Sequence, residues 1–440
     1  MAIFDTDNSV VSHEDLHDGV DFICEFSAKL QKYRNRLTGS TNETACARAV
    51  RQTITDETGA QARLEAYRAY PLLGVGSLPF LGLWYLFSYV LYFISFAGKG
   101  LAGILLSLLA LAVFAVGVAI IFVARFGKKT KIRSLLYPKV SYNVVSEFSK
   151  NTDAKRKERT IIIVDNHDAM VGNFFKEQRI LNLLSKIFVP LTALVFVVFC
   201  IVKMAVGTDT SAKITALTVI PALLGVIGTV VTTIRFSPFE KHAKQNNGVA
   251  TSVAMATYAY FVEKSDIIAD DVRMVYVSLG GENSAHGGSE AFVKSHPEYA
   301  SACVLSIGDI ESGDLKIMER NHLRRINYST PMVSLIRSSA YEQKIDIVVQ
   351  PHDKLSQRIG SMHGTISDAF AANGNPTSAI VADENKTVGR VLERNDIEKL
   401  FSVTVGTVLK LLHDNISLPH DEQPIQQSSS EIEIKTAVGK

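Results

Sequence analysis

Residues 158–169 read ERTIIIVDNHDA and indicate the fold class more clearly than any other part of the chain. Four consecutive branched apolar residues, Ile161 to Val164, end at the polar run Asp165-Asn166-His167-Asp168. This pattern is typical of a strand that is buried on both faces and carries polar side chains at its carboxyl end. Ligands of open α/β sheets bind at that end of the strands, so the stretch predicts both the fold class and the place of a site.

Strongly apolar segments interrupt the chain on both sides of this strand. Residues 71–96 and 101–124 contain no charged residue, and each exceeds the about 20 apolar residues that cross a bilayer core. Only residues 97–100 separate them, which predicts a transmembrane hairpin over 71–124. Residues 183–206 and 214–234 predict a second hairpin within 181–234, with Lys203 placed where a lysine can extend to the membrane surface.

Each hairpin returns the chain to the side of the membrane from which it came. Basic residues flank the hairpins on that side, whereas the two short loops carry few of them; the flanking residues include Arg125, Lys128, Lys129, Arg133, Lys176, Arg179 and Arg235. The positive-inside rule therefore predicts a multi-pass protein of the cell membrane, with the soluble domain and both termini in the cytoplasm. The polar, acidic first residues agree, since they do not resemble a secretory signal peptide.

Composition excludes several other classes of protein. Forty-six basic and 44 acidic residues give a net charge of +2, so no basic surface for nucleic acid is indicated. The four cysteines show no CxxC or Cys/His spacing, which argues against a disulfide framework and a structural zinc site and suits a reducing compartment. A transporter is disfavoured because the apolar segments contain almost no charge that could line a pathway.

The polar parts of the chain alternate between strand and helix patterns. Helical periodicity is present in residues 13–55 and 396–414, Gly59 is expected to end the second helix of the first region, and Asn246 or Asn247 can cap a further helix. Strands are predicted at 60–70, 142–148, 273–279, 302–307, 345–349 and 378–381. This alternation predicts one α/β domain with a largely parallel or mixed sheet. Its parts are residues 1–69, 137–180 and 240–415, and the polar tail 416–440 is expected to be disordered.

Four polar clusters, each at a predicted strand end, resemble a known family in their order and spacing. They are residues 165–168, Gly281-Glu282-Asn283, Gly308-Asp309 and MHGTISDAFAANGNP at 362–376. Together with RLTGSTNE at 36–43, they resemble the co-catalytic zinc peptidases, which include bacterial leucyl aminopeptidases, glutamate carboxypeptidase and the non-catalytic transferrin receptor. The resemblance implies a zinc-peptidase-like mixed sheet flanked by helices, with the two transmembrane hairpins, and thus four membrane helices, as insertions.

The resemblance also assigns roles to individual positions. The family's HxD motif, a zinc-binding histidine and the aspartate that orients it, falls on Asn166 and Asp168. The bridging aspartate is replaced by the carboxylate-free Gln245-Asn246-Asn247-Gly248, and the general base and metal ligand of the paired glutamates fall on Glu282 and Asn283. The last histidine falls on Ser367 in one alignment and near Gly389 in another.

Of the five expected metal ligands, the resemblance therefore retains only Asp309. Lowering the pKa of a bound water requires a cation held by several anionic or imidazole ligands. We expect a degenerate site that binds no zinc, in which Glu282 and Asp168 are vestigial catalytic residues, and a protein that binds or scaffolds rather than hydrolyses. The expected partners are the lipid bilayer and cytoplasmic segments of membrane proteins or peptides.

The alternative is an active membrane-bound metallo-aminopeptidase with an altered ligand set that binds zinc. Substitute ligands would then be His167 and His363, with Asp309, within a rearranged site that could also include Asp168, His242 and Glu282. Adjacent residues of a strand point to opposite faces, which argues against joint use of His167 and Asp168. The glycine-rich GGENSAHGG at 280–288 lacks the GxxxxGK[ST] pattern of a phosphate loop and is better explained as a tight strand-to-helix turn.

Overall fold

The structure is a computed structural model that describes residues 11–33, 36–71, 77–98, 100–126, 138–150, 159–168, 179–206, 227, 248–282, 287–308, 310, 315–321, 326–349, 366–382 and 392–413.

An eight-stranded mixed sheet forms the centre of the α/β domain. Its strands are β1 (Arg63–Ala69), β2 (Lys139–Ser149), β3 (Arg159–Asn166), β4 (Val272–Leu279), β5 (Cys303–Ile307), β6 (Leu315–Met318), β9 (Val348–Val349) and β10 (Thr377–Ala382). They lie in the order β1-β2-β4-β3-β5-β10-β6-β9. The central strands β4, β3, β5 and β10 are parallel, whereas β1, β2 and β6 are antiparallel to their inner neighbours. A separate pair, β7 (Arg320–Asn321) and β8 (Ile326–Asn327), is antiparallel.

Helices cover both faces of this sheet. They are α1 (His13–Leu30), α2 (Thr41–Thr58), α6 (Gly248–Glu263), α7 (Gly287–Ser295), α8 (Thr330–Glu342), α9 (Ser367–Ala372) and α10 (Arg394–His413). The larger hydrophobic cluster packs α1, α2, α6, α8 and α10 on one face, and the smaller one packs α7 and α9 on the other. The prediction of a mixed α/β sheet flanked by helices is confirmed.

Strand β3 is buried on both faces, as its unbroken apolar run predicts. Ile161 and Ile163 belong to the larger cluster, and Ile162 and Val164 belong to the smaller one. The alternation continues past the apolar run, so successive polar residues at the end of the strand also face opposite sides of the sheet. This register decides which of them can meet in a cleft.

The region after β5 differs most from the sequence prediction. A strand was predicted at 345–349, but only Val348–Val349 pair with the sheet. The preceding residues instead end α8, where Lys344 has φ 56° and the Ile345 N–H donates to the Ala340 carbonyl. Helix α8 itself, with a proline in its first turn, and the short strands β6 to β8 were not predicted.

The apolar segments of the sequence form three helices: α3 (Ser77–Ile94), α4 (Leu101–Phe126) and α5 (Arg179–Val206). Among the described residues, one helical stretch, Leu101–Ala119, is long and apolar enough to cross a membrane, and the apolar stretches in α3 and α5 are shorter. The fourth predicted span, 214–234, lies outside the described residues apart from Ile227. The described residues therefore support one candidate membrane helix, and the prediction of four is not supported.

The three apolar helices reverse the usual distribution of side chains. Leu83, Leu101 and Leu194 are 67%, 70% and 61% exposed, whereas Ser95 and Ser107 are fully buried. The Ser107 hydroxyl donates to Ser95 Oγ at 3.1 Å, and the Lys203 ammonium contacts the same oxygen and lies 3.5 Å from the centroid of the Phe96 ring. An aromatic cluster fills the remaining interior with Tyr85, Tyr89, Tyr92, Phe114 and Phe196.

Candidate functional site

The carboxyl ends of β3, β4 and β5 meet at one edge of the sheet, as their parallel pairing requires. Asn166, the last residue of β3, pairs in register with Leu279, the last residue of β4. On the other side, a Cβ added to Gly308 after β5 would lie 3.7 Å from Asn166 Oδ1. The ends of three strands thus meet around Asn166, and this edge is the candidate site.

Asn166 and Asp168 contact each other at this edge. The Asn166 Nδ2 group donates to Asp168 Oδ1 at 2.9 Å, and both side chains are buried. The amide therefore presents its hydrogen-bearing nitrogen, which cannot bind a metal, to the carboxylate at the position where the resemblance expects a zinc-binding imidazole. Asp168 is engaged by its neighbour in the same motif.

His167 lies on the opposite face of the sheet from this pair. Its Nδ1 is 3.1 Å from Ser278 Oγ, and that hydroxyl donates to Asp165 Oδ1 at 2.7 Å. Since the serine proton goes to the aspartate, the imidazole carries its proton on Nδ1 and donates to the serine. Burial, with a contribution from the Arg36 charge, lowers the pKa of His167 to about 3, so the ring is neutral.

Glu282 follows β4, and its carboxylate accepts hydrogen bonds from the first turn of α7. Its Oε1 accepts the Ser289 backbone N–H at 2.5 Å, and its Oε2 accepts the Ser289 hydroxyl at 3.1 Å. A carboxylate at a helix N-terminus satisfies otherwise unpaired N–H groups and is stabilised by the helix dipole. The glutamate that the resemblance assigns as general base therefore has a structural role in the described chain.

Glu43, which the sequence analysis did not identify, joins three of the segments that surround the site. Its Oε1 accepts the Ser141 hydroxyl at 2.7 Å and the Gly281 N–H at 2.9 Å, and its Oε2 accepts the Gly39 N–H. Burial, and next the Asp168 charge, raise the pKa of Glu43 to about 7. The Ser40-Thr41-Asn42-Glu43 capping-box sequence at the start of α2 was the available signal, and Ser40 Oγ does accept the Glu43 N–H at 3.1 Å.

Tyr67 fixes the exit of β4 from the other side. Its hydroxyl donates to the Gly280 carbonyl at 2.7 Å and contacts Ser141 Oγ at 3.1 Å. Gly281 has φ +59°, and a Cβ there would lie 2.2 Å from Tyr67 Oη. The close approach and the left-handed backbone both require glycine, which explains the glycine immediately before Glu282.

Of the two positions that the resemblance offers for the last histidine, only Ser367 lies within the described residues. Ser367, at the start of α9, is fully buried and its hydroxyl contacts that of Ser306 on β5. The next residue, Asp368, accepts hydrogen bonds from the Tyr328 hydroxyl at 2.5 Å and from Asn321 Nδ2 at 2.7 Å. Both side chains hold α9 against its neighbours.

The remaining candidates lie outside the described residues: Asn283, Asp309, His363, His242, Gly389 and the segment 245–247. Asp309, the retained ligand position, and the substitute ligand His363 therefore stay predictions. Within the described part of the chain, no group of three or more His, Cys, Asp or Glu side chains could hold a metal ion. Of the described residues at this edge, Asn166 directs its amide nitrogen at Asp168 and Glu282 accepts from the first turn of α7, so neither offers a ligand to zinc in this arrangement.

Comparison with known proteins gave structural similarities alone. No family model matches the sequence, and no curated protein matches it. The structure is similar to an aminopeptidase from Aneurinibacillus sp. strain AM-1, with TM-score 0.44 and 11% identity over 91% of this chain and 93% of that chain. It is also similar to BSAP, a zinc aminopeptidase from Bacillus subtilis, with TM-score 0.47 and 7% identity over 90% and 95% of the two chains. For a Zn-dependent exopeptidase from Parabacteroides distasonis the values are 0.44 and 9%, over 90% and 98%.

Proposed function

We propose that this chain is a multi-pass membrane protein whose zinc-aminopeptidase-like domain binds a partner at its strand-end cleft and does not hydrolyse it. The proposal rests on the hydrogen bonds that already occupy the side chains at the positions of the family's catalytic residues. Asn166 donates to Asp168, and both oxygens of Glu282 accept bonds from Ser289. A general base must be free to take a proton from water, and a base without a polarising cation has little to act on.

The membrane part of the proposal rests on the reversed side-chain distribution of α3, α4 and α5. A helix group in water buries leucine and exposes serine and lysine, whereas Leu83, Leu101 and Leu194 are the exposed residues here. In a bilayer this arrangement is favourable, because lipid surrounds the leucines and the polar side chains find partners inside. The proposed orientation, with the domain and both termini in the cytoplasm, rests on the basic residues that flank the apolar segments.

The proposed partner is a cytoplasmic segment of a membrane protein, a peptide or a lipid. The second apolar segment begins about a dozen residues after Asp168, and a chain of that length spans at most about 3.6 Å per residue. The cleft edge is therefore tied closely to the bilayer in this proposal, so a ligand would approach from the membrane surface.

Metal analysis combined with an activity assay tests the proposal. We expect the full chain, purified in detergent, to contain far less than one zinc per molecule and to release no product from aminoacyl-nitroanilides, even with added zinc. A chelator should leave the thermal midpoint unchanged, because no metal contributes to the folded state. Near-stoichiometric zinc, with hydrolysis that disappears in Glu282→Gln, would instead show the active aminopeptidase with an altered ligand set.

A further inference from the structure

Five buried polar atoms that lack a hydrogen-bond partner of good geometry lie beneath the cleft, on the face of β3 and β4 that α1, α2 and α6 cover. They are Nε and Nη2 of Arg36, Oδ2 of Asp165, Nε2 of His167 and the hydroxyl of Tyr276, and they make up five of the nine such atoms in the described residues. All four side chains are essentially inaccessible to solvent. Buried polar atoms are almost always paired with protein or with ordered water, so such a concentration points to a bound molecule.

The register of the strands places these groups together. Asp165 and His167 are two residues apart and face the same side, where Ser278 contacts both. Tyr276 precedes Ser278 by two residues on the neighbouring strand, and burial, followed by the charge and the close side chain of Asp165, raises its pKa. Arg36 enters from the segment between α1 and α2, where its Nη1 donates to the Leu30 carbonyl at 3.0 Å. Its charge acts on both Asp165 and His167.

The unpaired atoms include both donors and acceptors. Arg36 Nε, Arg36 Nη2 and the Tyr276 hydroxyl have hydrogens to donate. Asp165 Oδ2 and His167 Nε2 have lone pairs, the latter because Nδ1 carries the imidazole proton. An anion would be attracted by the Arg36 guanidinium but repelled by the Asp165 carboxylate and the lone pair of His167. A metal cation would suit those acceptors but would meet the guanidinium.

We propose that Arg36, Asp165, His167 and Tyr276 enclose a sealed solvent site, occupied by water that accepts from Arg36 and donates to Asp165 and His167. Water is the neutral molecule that both donates and accepts within such a space. The site links the segment before α2 to the end of β3.

A high-resolution crystal structure of the full chain, with a parallel bromide soak, tests this site. The expected result is one or more density peaks within hydrogen-bond distance of Arg36 and of Asp165 or His167, without anomalous signal at the bromide edge. An anomalous bromide peak would show an anion site and overturn the proposal. A direct Arg36–Asp165 ion pair with no peak between the two side chains would also overturn it.

A matched pair of tyrosine variants gives a second measurement that needs no crystal. Tyr276→Phe and Tyr258→Phe each remove one hydroxyl from buried rings whose centroids lie 5.7 Å apart. Tyr258 has a direct partner, Ser146 Oγ at 3.2 Å, so its variant should lower the thermal midpoint by a few degrees. A similar drop for Tyr276→Phe is expected if water satisfies its hydroxyl. An unchanged or higher midpoint would show that the hydroxyl was unpaired and would overturn the solvent site.

Discussion

At the scale of single residues, the buried His167 determines part of the response of the domain to acid. Its folded-state pKa is lowered to about 3, chiefly by burial, whereas an unfolded histidine has a pKa of about 6.5. Between these values the unfolded chain binds a proton that the folded chain does not, so the free energy of unfolding falls as the pH drops below 6.5. For this residue alone the loss is roughly 2 kcal/mol between pH 6.5 and pH 5.

The variant His167→Asn isolates this contribution. Its amide can still donate to Ser278, but it does not titrate, so its stability should decline less between pH 7 and pH 5 than that of the natural protein. Asp165 and Glu43 have raised pKa values of about 6 and about 7, which act in the opposite sense, but both remain in the variant. Urea unfolding at each pH gives the slopes, with His13→Asn at an exposed site as the control. Equal slopes for the natural protein and His167→Asn would contradict the prediction.

Gly281 should tolerate substitution less well than another glycine with the same backbone. Gly281 and Gly59 have φ of +59° and +67°, but a Cβ at Gly281 would lie 2.2 Å from Tyr67 Oη, whereas nothing lies within 4 Å at Gly59. We expect Gly59→Ala to cost about 1 kcal/mol of unfolding free energy from backbone strain. Gly281→Ala should cost roughly 2 kcal/mol more from the added clash.

Denaturant unfolding of both alanine variants checks this difference. Adding Tyr67→Phe removes the oxygen that the new methyl group would meet, so part of the Gly281→Ala cost should be recovered in the double variant. Costs that are equal at Gly59 and Gly281, or that simply add with Tyr67→Phe, would show that Tyr67 does not restrict this turn.

At the scale of elements, α7 depends on Glu282 for the start of its first turn. Glu282 accepts two bonds from Ser289, and removing a charged cap typically costs about 1 to 2 kcal/mol. We therefore expect Glu282→Gln and Ser289→Ala each to lower the free energy of unfolding by about 1 kcal/mol, measured by urea titration. The two effects should be less than additive in the double variant, because both act on one contact. Ser295→Ala, an exposed change at the other end of the same helix, should alter stability by less than about 0.5 kcal/mol.

How far the sequence determines each element depends on how many local signals agree. The run Ile161 to Val164 predicted a doubly buried strand, and both core clusters contain its side chains. Gly59, predicted to close its helix, is the left-handed C-cap of α2. The strand predicted at 345–349 is wrong over its first three residues because the end of α8 takes the Ile345 N–H, and hydrophobic periodicity does not show where the preceding helix ends.

The site was predictable in position but not in its connections. Polar residues after consecutive strands predicted a shared edge for these segments, and the parallel pairing of β3, β4 and β5 brings the strand ends to one side. Glu43 comes from a helix 98 residues before its partner Ser141, and no spacing rule joins them. The engagement of Glu282 by Ser289 likewise depends on how the chain turns between β4 and α7, which the residue types alone do not specify.

At the scale of the whole molecule, membrane integration can be measured with the single tryptophan of the chain. Trp84 lies in α3, and its indole N–H donates to the Val113 carbonyl of α4 at 2.5 Å. If lipid surrounds the exposed leucines of these helices, Trp84 lies within the hydrocarbon region. We therefore expect the fluorescence of the full chain in vesicles to be quenched by lipids brominated on their acyl chains and to resist aqueous iodide.

The comparison of the two quenchers decides between a bilayer and an aqueous surface. Bromine on the acyl chains quenches over a short range, so strong quenching requires contact between Trp84 and the lipid tails. Iodide is excluded from hydrocarbon because removing an ion from water is costly. The variant Trp84→Phe supplies the background signal, and the inert Tyr70→Phe change outside α3 supplies the handling control. Quenching by iodide but not by brominated lipid would place α3 in water and contradict the membrane proposal, while leaving the cleft contacts of Glu282 and Asn166 unaffected.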